Sequence, residues 1–268
     1  MACGVKKIDT FLARRLKTLL LVGVATVSVA ACSPKPQAAQ DTDDYMRSKG
    51  YSRAPQILSV TANGNMVSVS GDAVPGGRVR FLYGDQRAIG VTADSKGRFS
   101  ADLPVTPQGT LFDVSMEDAG QLMQAEGRLF VPPGAPQKAV LLRAGAPSLP
   151  VMRQGSGIAV IDYDAAGAMM VTGVAAPGAA ISVTVGEEIW PKQPAAAADG
   201  TFTAVCQIPP VQDDAGQVSL SVKAGQANWQ QVIPVSRAPD GDHISAVSGG
   251  WRIDWALPGG GAQTTLVF

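Results

Sequence analysis

The sequence predicts an all-β protein: two antiparallel sandwiches in tandem, behind an N-terminal signal helix and a flexible tether, with a C-terminal β-hairpin. Three observations predict it. Apolar residues recur at every second position in short runs, as in Val79, Phe81 and Tyr83, the period of a half-buried strand. The 268 residues include 30 Gly and 19 Pro, which punctuate those runs with turns. Two motifs then recur about a hundred residues further on. With 46% hydrophobic residues the chain can build a core, so wholesale disorder is excluded. A formal charge of zero with one His excludes a nucleic-acid binder.

The chain opens on a basic stretch, with Lys6, Lys7, Arg14, Arg15 and Lys17 against Asp9. An uncharged run from Leu19 follows and ends in small residues at Cys32. That is the layout of a secretory signal, and the run is too short to span a bilayer, which takes about 20 apolar residues. The expectation is an exported protein.

The segment Val29-Ala30-Ala31-Cys32-Ser33 resembles the lipobox of bacterial lipoproteins. The resemblance implies cleavage after Val29, Ala30 and Ala31 and a covalent lipid, diacylglycerol with palmitate-type chains, on the Cys32 thiol. Val29 departs from the Leu usual there. Each buried methylene contributes about 0.8 kcal/mol, so several chains together anchor a protein to a membrane. Ser33, where an Asp would retain a lipoprotein at the inner membrane, favours the outer membrane, facing the periplasm or the cell surface. The plain alternative is ordinary cleavage beside an incidental cysteine.

Cys3 would leave with the signal and Cys32 would carry lipid, so only Cys206 remains and no internal disulfide is expected. Cleavage would leave 17 basic and 21 acidic residues, a formal charge of −4. From Ser33 to Ala54 few residues are large and apolar, which predicts a flexible tether. Its reach is at most about 70 Å at roughly 3.3 Å per residue.

The repeat comes next. Val69–Gly77 reads VSGDAVPGG and Val171–Ala179 reads VTGVAAPGA, an offset of 102. Gly97-Arg98-Phe99 and Gly200-Thr201-Phe202 are offset by 103. A period near a hundred marks a duplicated domain rather than a solenoid. Alternation continues through Phe99, Ala101 and Leu103, and through Phe202, Ala204, Cys206 and Ile208, which assigns Cys206 to core packing. Pro75-Gly76 and Pro177-Gly178 suit the centre of type II turns, and Asn63-Gly64 and Asp199-Gly200 are favoured hairpin dipeptides.

These motifs resemble bacterial immunoglobulin-like modules, and the resemblance implies immunoglobulin-like sandwiches that serve as spacers, adhesive units or accessory domains. The second copy departs from the pattern at Trp190–Gly200 (WPKQPAAAADG). The expected organisation is a signal peptide over 1–31, a tether over 32–54, a first immunoglobulin-like domain over 55–133 and a linker containing a strand over 134–155. A second such domain covers 156–237, and 238–268 is a hairpin or truncated repeat. Within the linker, Val131–Gln137 (VPPGAPQ) reads as a hinge.

Reactive groups are sparse. His243 is the only histidine and lies in a loop sequence without a nucleophile motif. One His and one free Cys cannot assemble a zinc site. Asp162-Tyr163-Asp164 and Asp240-Gly241-Asp242 lack calcium-loop spacing and read as acidic turns, as does Glu187-Glu188. No catalytic residue, metal ligand or cofactor is expected, apart from the lipid on Cys32.

The tryptophans carry the binding interest. Trp251, Ile253 and Trp255 share one strand face, with Arg252 and Asp254 opposite, and Trp190 lies in the second unit. Trp251, Trp255 and Trp190 could stack on sugar rings, or they could close a core short of large side chains. The function expected is a non-catalytic interaction or spacer module, anchored to the membrane by lipid and meeting an envelope protein partner. The alternative is a carbohydrate- or peptidoglycan-binding module using the C-terminal tryptophans.

Overall fold

The computed structural model describes residues 53–268 except 154, 192, 213 and 214. Val29, Ala30, Ala31, Cys32 and nearly all of the expected tether lie outside the described residues. The described chain is all-β: twenty antiparallel strands and a single 3-10 turn at Pro136–Lys138.

In the first half, β1 (Gln56–Asn63), β2 (Met66–Asp72) and β5 (Arg98–Pro104) form a three-stranded sheet in the order β1-β2-β5. Facing it is a seven-stranded sheet. It contains β3 (Arg78–Tyr83), β4 (Arg87–Thr92), β6 (Thr110–Asp118), β7 (Gln121–Gln124), β8 (Arg128–Val131), β9 (Val140–Leu142) and β10 (Leu149–Pro150). Its order is β10-β9-β8-β6-β3-β4, with β7 also on β6. Alternate residues of both sheets (Val67, Val69 and Leu103 against Phe81, Val114 and Met116) close one core, where Phe81 and Phe112 meet edge to face at 6.4 Å.

In the second half, β11 (Gly157–Asp164), β12 (Ala168–Val174), β15 (Thr201–Gln207), β18 (His243–Val247), β19 (Gly250–Ala256) and β20 (Ala262–Val267) form a six-stranded sheet. Its order is β15-β12-β11-β20-β19-β18. The opposing sheet holds β13 (Ile181–Val185), β14 (Glu188–Trp190), β16 (Gly216–Ala224) and β17 (Ala227–Val235), in the order β14-β13-β16-β17. Ile161, Met169 and Phe202 pack there against Val183, Leu220 and Ile233. Cys206 is buried among them.

The two repeated motifs meet in space. Gly71 lies directly across from Phe99, and Gly173 across from Phe202. A Cβ on either glycine would stand 2.6 Å from the ring of its phenylalanine and would also run into a main-chain oxygen, that of Gln56 or of Gly157. The motif is a glycine that makes room for an aromatic ring on the neighbouring strand.

One expectation changes. The stretch read as a hinge is structured, because Val131 ends β8 and is buried and Pro136 and Gln137 open the 3-10 turn, where the Lys138 N–H donates to the Ala135 carbonyl at 2.9 Å. The strand expected in the linker is present as β9 and β10, paired to β8 and to each other. The C-terminal segment forms the expected hairpin, β19–β20, which completes the large sheet of the second half rather than standing as a truncated repeat. Its β20 pairs with β11 on one side and β19 on the other, so three strands widen the large sheet of the second half. Ala256–Gly261 (ALPGGG) makes the β19–β20 turn, closed by the Leu257 N–H donating to the Gly261 carbonyl at 3.0 Å.

Candidate functional site

The strands β11, β19 and β20 are buried on both faces, and the polar residues on them gather at two places. On one face Val160, Ile253, Trp255 and Val267 meet Leu111, Phe130, Val140 and Leu142 of the first half in a third apolar cluster. This is the junction between the two sandwiches.

Asp162 lies at its centre with 0% exposure. Its carboxylate accepts the Ser148 main-chain N–H and hydroxyl, both at 2.7 Å, the Gln263 amide at 3.1 Å and the Thr265 hydroxyl at 2.6 Å. Thr265 accepts in turn from the Trp255 indole N–H at 3.1 Å. Gln263 reaches the first half as well, accepting from the Gly145 N–H at 3.2 Å. Burial pushes the Asp162 carboxyl above the usual aspartate range, while hydrogen bonds from Thr265, Ser148 and Gln263 pull against that shift. All four bonds donate to the carboxyl group, yet burial outweighs them and favours the protonated form relative to an exposed aspartate.

On the opposite face Arg252 and Asp254 form a buried pair, with Arg252 Nε and Nη2 both within 3.0 Å of the carboxylate. Thr264 donates to Asp254 at 2.6 Å, and Arg252 donates to the Ser236 hydroxyl and carbonyl. Burial works against the Arg252 charge, yet its bonds to Asp254 leave the guanidinium above its ordinary pKa. Tyr163, raised by burial, donates its hydroxyl to the Pro234 carbonyl at 3.1 Å. At the rim of the junction Arg128 pairs with Asp113 at 2.6 Å and with Asp242 at 2.7 Å, tying β6 and β8 to the turn before β18.

Two surface concavities accompany this frame. One, of about 470 Å³, opens where β11, β17, β19 and β20 end, lined by Tyr163, Asp164, Ser236, Asp240 and Thr264 among others. The other, of about 760 Å³, lies on the outer face of β16 and β17. Its lining, which includes Thr184, Gln217, Ser219, Ser221 and Gln230, carries no charged side chain.

The residues singled out from sequence separate clearly. Trp255 is 1% exposed and belongs to the junction, so it is not a platform for sugar rings. Trp251 packs against the same cluster, with the Lys138 ammonium 5.8 Å from its ring centroid. Trp190 packs partly buried on the second core, and its buried indole nitrogen has no hydrogen-bond partner. Asp162 is a buried strand residue rather than part of an acidic turn, because β11 is central in its sheet and covered on both faces. Asp164 does cap a turn, accepting the Ala168 N–H at 3.0 Å. His243 is exposed, with a ring nitrogen 2.9 Å from the Asp240 carbonyl. Burial pushes the Cys206 thiol up to about 12.

Among the described residues no group of three or more His, Cys, Asp or Glu is placed to hold a metal ion. No helix among them is long and apolar enough to cross a membrane. Sequence reasoning missed Ser148, Gln263 and the buried role of Arg252 and Asp254. The available signal was polar residues alternating within strands whose other face is equally apolar.

No family model and no curated protein matches this chain. Among solved structures it is similar to one titled biofilm associated protein, BSP domain, at 15% identity and a TM-score of 0.20. The match covers 68% of this chain and 29% of that one, so this chain spans under a third of that structure's length.

Proposed function

We propose that this chain is a lipid-anchored protein of the bacterial cell envelope whose two immunoglobulin-like sandwiches act together as a stiff, non-catalytic spacer or interaction module. The observation that carries the reading is the junction: an apolar cluster shared by both halves around a carboxylate whose four hydrogen bonds are all structural. The groups that chemistry would recruit are already engaged in holding the fold. Asp162 and the Arg252–Asp254 pair are enclosed, Asp242 is bound to Arg128, and the Cys206 thiol is buried.

The anchor rests on the Val29–Cys32 motif, and the outer membrane on Ser33. Both are tested by growing cells with labelled palmitate and fractionating their envelopes. Wild type should carry label in the outer-membrane fraction, and Cys32→Ala should lose both label and membrane association. Equal membrane association of the variant would overturn the anchor.

A second reading, glycan binding, is favoured at one place only, the uncharged hydroxyl- and amide-lined groove on β16 and β17, which suits a neutral polyhydroxyl chain. Protection of these strands from hydrogen exchange by neutral envelope glycans would support it, and unchanged exchange would dismiss it.

A further inference from the structure

The edge strand β15 is held in an unusual way. It pairs with β12 on one side and ends the six-stranded sheet on the other. Midway along this outer edge the Gln193 carboxamide bonds both main-chain groups of Val205. Its oxygen accepts the Val205 N–H at 2.9 Å, and its nitrogen donates to the Val205 carbonyl at 3.0 Å. A side-chain amide thus bonds the two groups that the N–H and C=O of the opposite residue in an added antiparallel strand would bond. Pro191 and Pro194 flank Gln193, and both its own N–H, to the Pro191 carbonyl, and its carboxamide, to the Trp190 carbonyl, fix the strap in place.

The duplicated first half shows what this replaces. At the offset of 103, β5 is the counterpart of β15, and it too is the last strand of its sheet. There Arg98, Asp102 and Pro104 stand where β15 has Thr201, Val205 and Gln207. Charges and proline are the usual protection of an exposed edge. β15 carries neither, and its Val205 side chain is 60% exposed.

We propose that Gln193 is an edge guard, and that the occupant it excludes is β15 of a second copy of this chain. The strand is self-complementary. An antiparallel pair of copies centred on Val205 sets Val205 against Val205 and Thr203 against Gln207, with no charge opposed along the seam. The short β14 and the departure from the repeat at Trp190–Gly200 follow from the same device: the segment that would continue as a strand in the other sheet is diverted across the β15 edge.

The test compares wild type, Gln193→Ala and Gln193→Ala/Val205→Asp by analytical ultracentrifugation, using the full chain in non-ionic detergent at one chain per micelle. Circular dichroism of each variant confirms folding. Gln193→Ala should self-associate at least about tenfold more tightly than wild type, a difference of about 1.4 kcal/mol. Its Val205 amide should exchange faster than in wild type when dilute and slower when concentrated. The Asp that β5 carries, introduced at 205, should return association to the wild-type level. A folded Gln193→Ala that sediments as wild type overturns the proposal, as does association that Val205→Asp leaves unchanged.

Discussion

Ser148 offers both its main-chain N–H and its hydroxyl to the two oxygens of Asp162, each at 2.7 Å, and both residues have 0% exposure. The serine lies just before β10, in the chain that leaves the first sandwich, and the aspartate on the central strand of the second. Removing the carboxylate strands four donors in a dry site, each costing about 1–3 kcal/mol if unsatisfied. Asp162→Ala should therefore destabilise the fold by about 3 kcal/mol or more, and Ser148→Ala by about 1–2 kcal/mol. Urea denaturation of both variants and the double variant should show the effects to be non-additive.

The same carboxyl makes a pH prediction. Its folded pKa lies above the ordinary value of 3.8, so between those two values the folded chain holds a proton that the unfolded chain has released. The group's favourable contribution is then complete below the unfolded pKa and is lost as pH rises through the folded one. Relative to Asp162→Asn, wild type should gain stability as pH falls through the raised folded pKa towards the ordinary value of 3.8. A difference between the two proteins that stays constant with pH would contradict this.

Gly71→Ala and Gly173→Ala should each cost about 2 kcal/mol or more, because the added methyl collides with a main-chain oxygen as well as with a phenylalanine ring. Shrinking the ring, as in Gly71→Ala/Phe99→Leu, should not restore stability, since the Gln56 carbonyl remains in the way. Denaturant midpoints of the single and double variants check this, and full rescue would show that the ring alone sets the constraint.

Cys206 should be nearly inert while the chain is folded. With its thiol pushed up to about 12, the thiolate at pH ~8 is about a thousandfold scarcer than for a free cysteine. Alkylation followed by mass spectrometry should label it only after unfolding, and rapid labelling of the native protein would contradict its burial.

The parts of this fold that could be read from sequence are those set by near neighbours. Alternation at Val67 and Val69 places a strand, and Pro75-Gly76 and Pro177-Gly178 place turns whose glycines take φ of 76° and 73°. The shared face of Trp251, Ile253 and Trp255 could be read too, but not what covers it. A polar residue between apolar ones on an antiparallel strand ordinarily faces water. Asp162 breaks that rule because the first half covers its face of β11 around Ser148. Arg252 and Asp254 break it because the chain at Ser236 and Thr264 of their own half closes over the opposite face of β19. Gln193 was hidden because a side-chain amide bonding the main chain of Val205 leaves no periodic trace in the sequence, although Pro191 and Pro194 mark where regular strand pairing stops.

Scanning calorimetry of the full chain bears most directly on whether the sandwiches behave as one body. With a buried cluster and the Ser148–Asp162 contact shared between them, they should unfold in a single transition, with calorimetric and van't Hoff enthalpies in agreement. Two resolved transitions, each carrying the enthalpy of one half, would show that the junction does not couple them and would remove the basis for a stiff module.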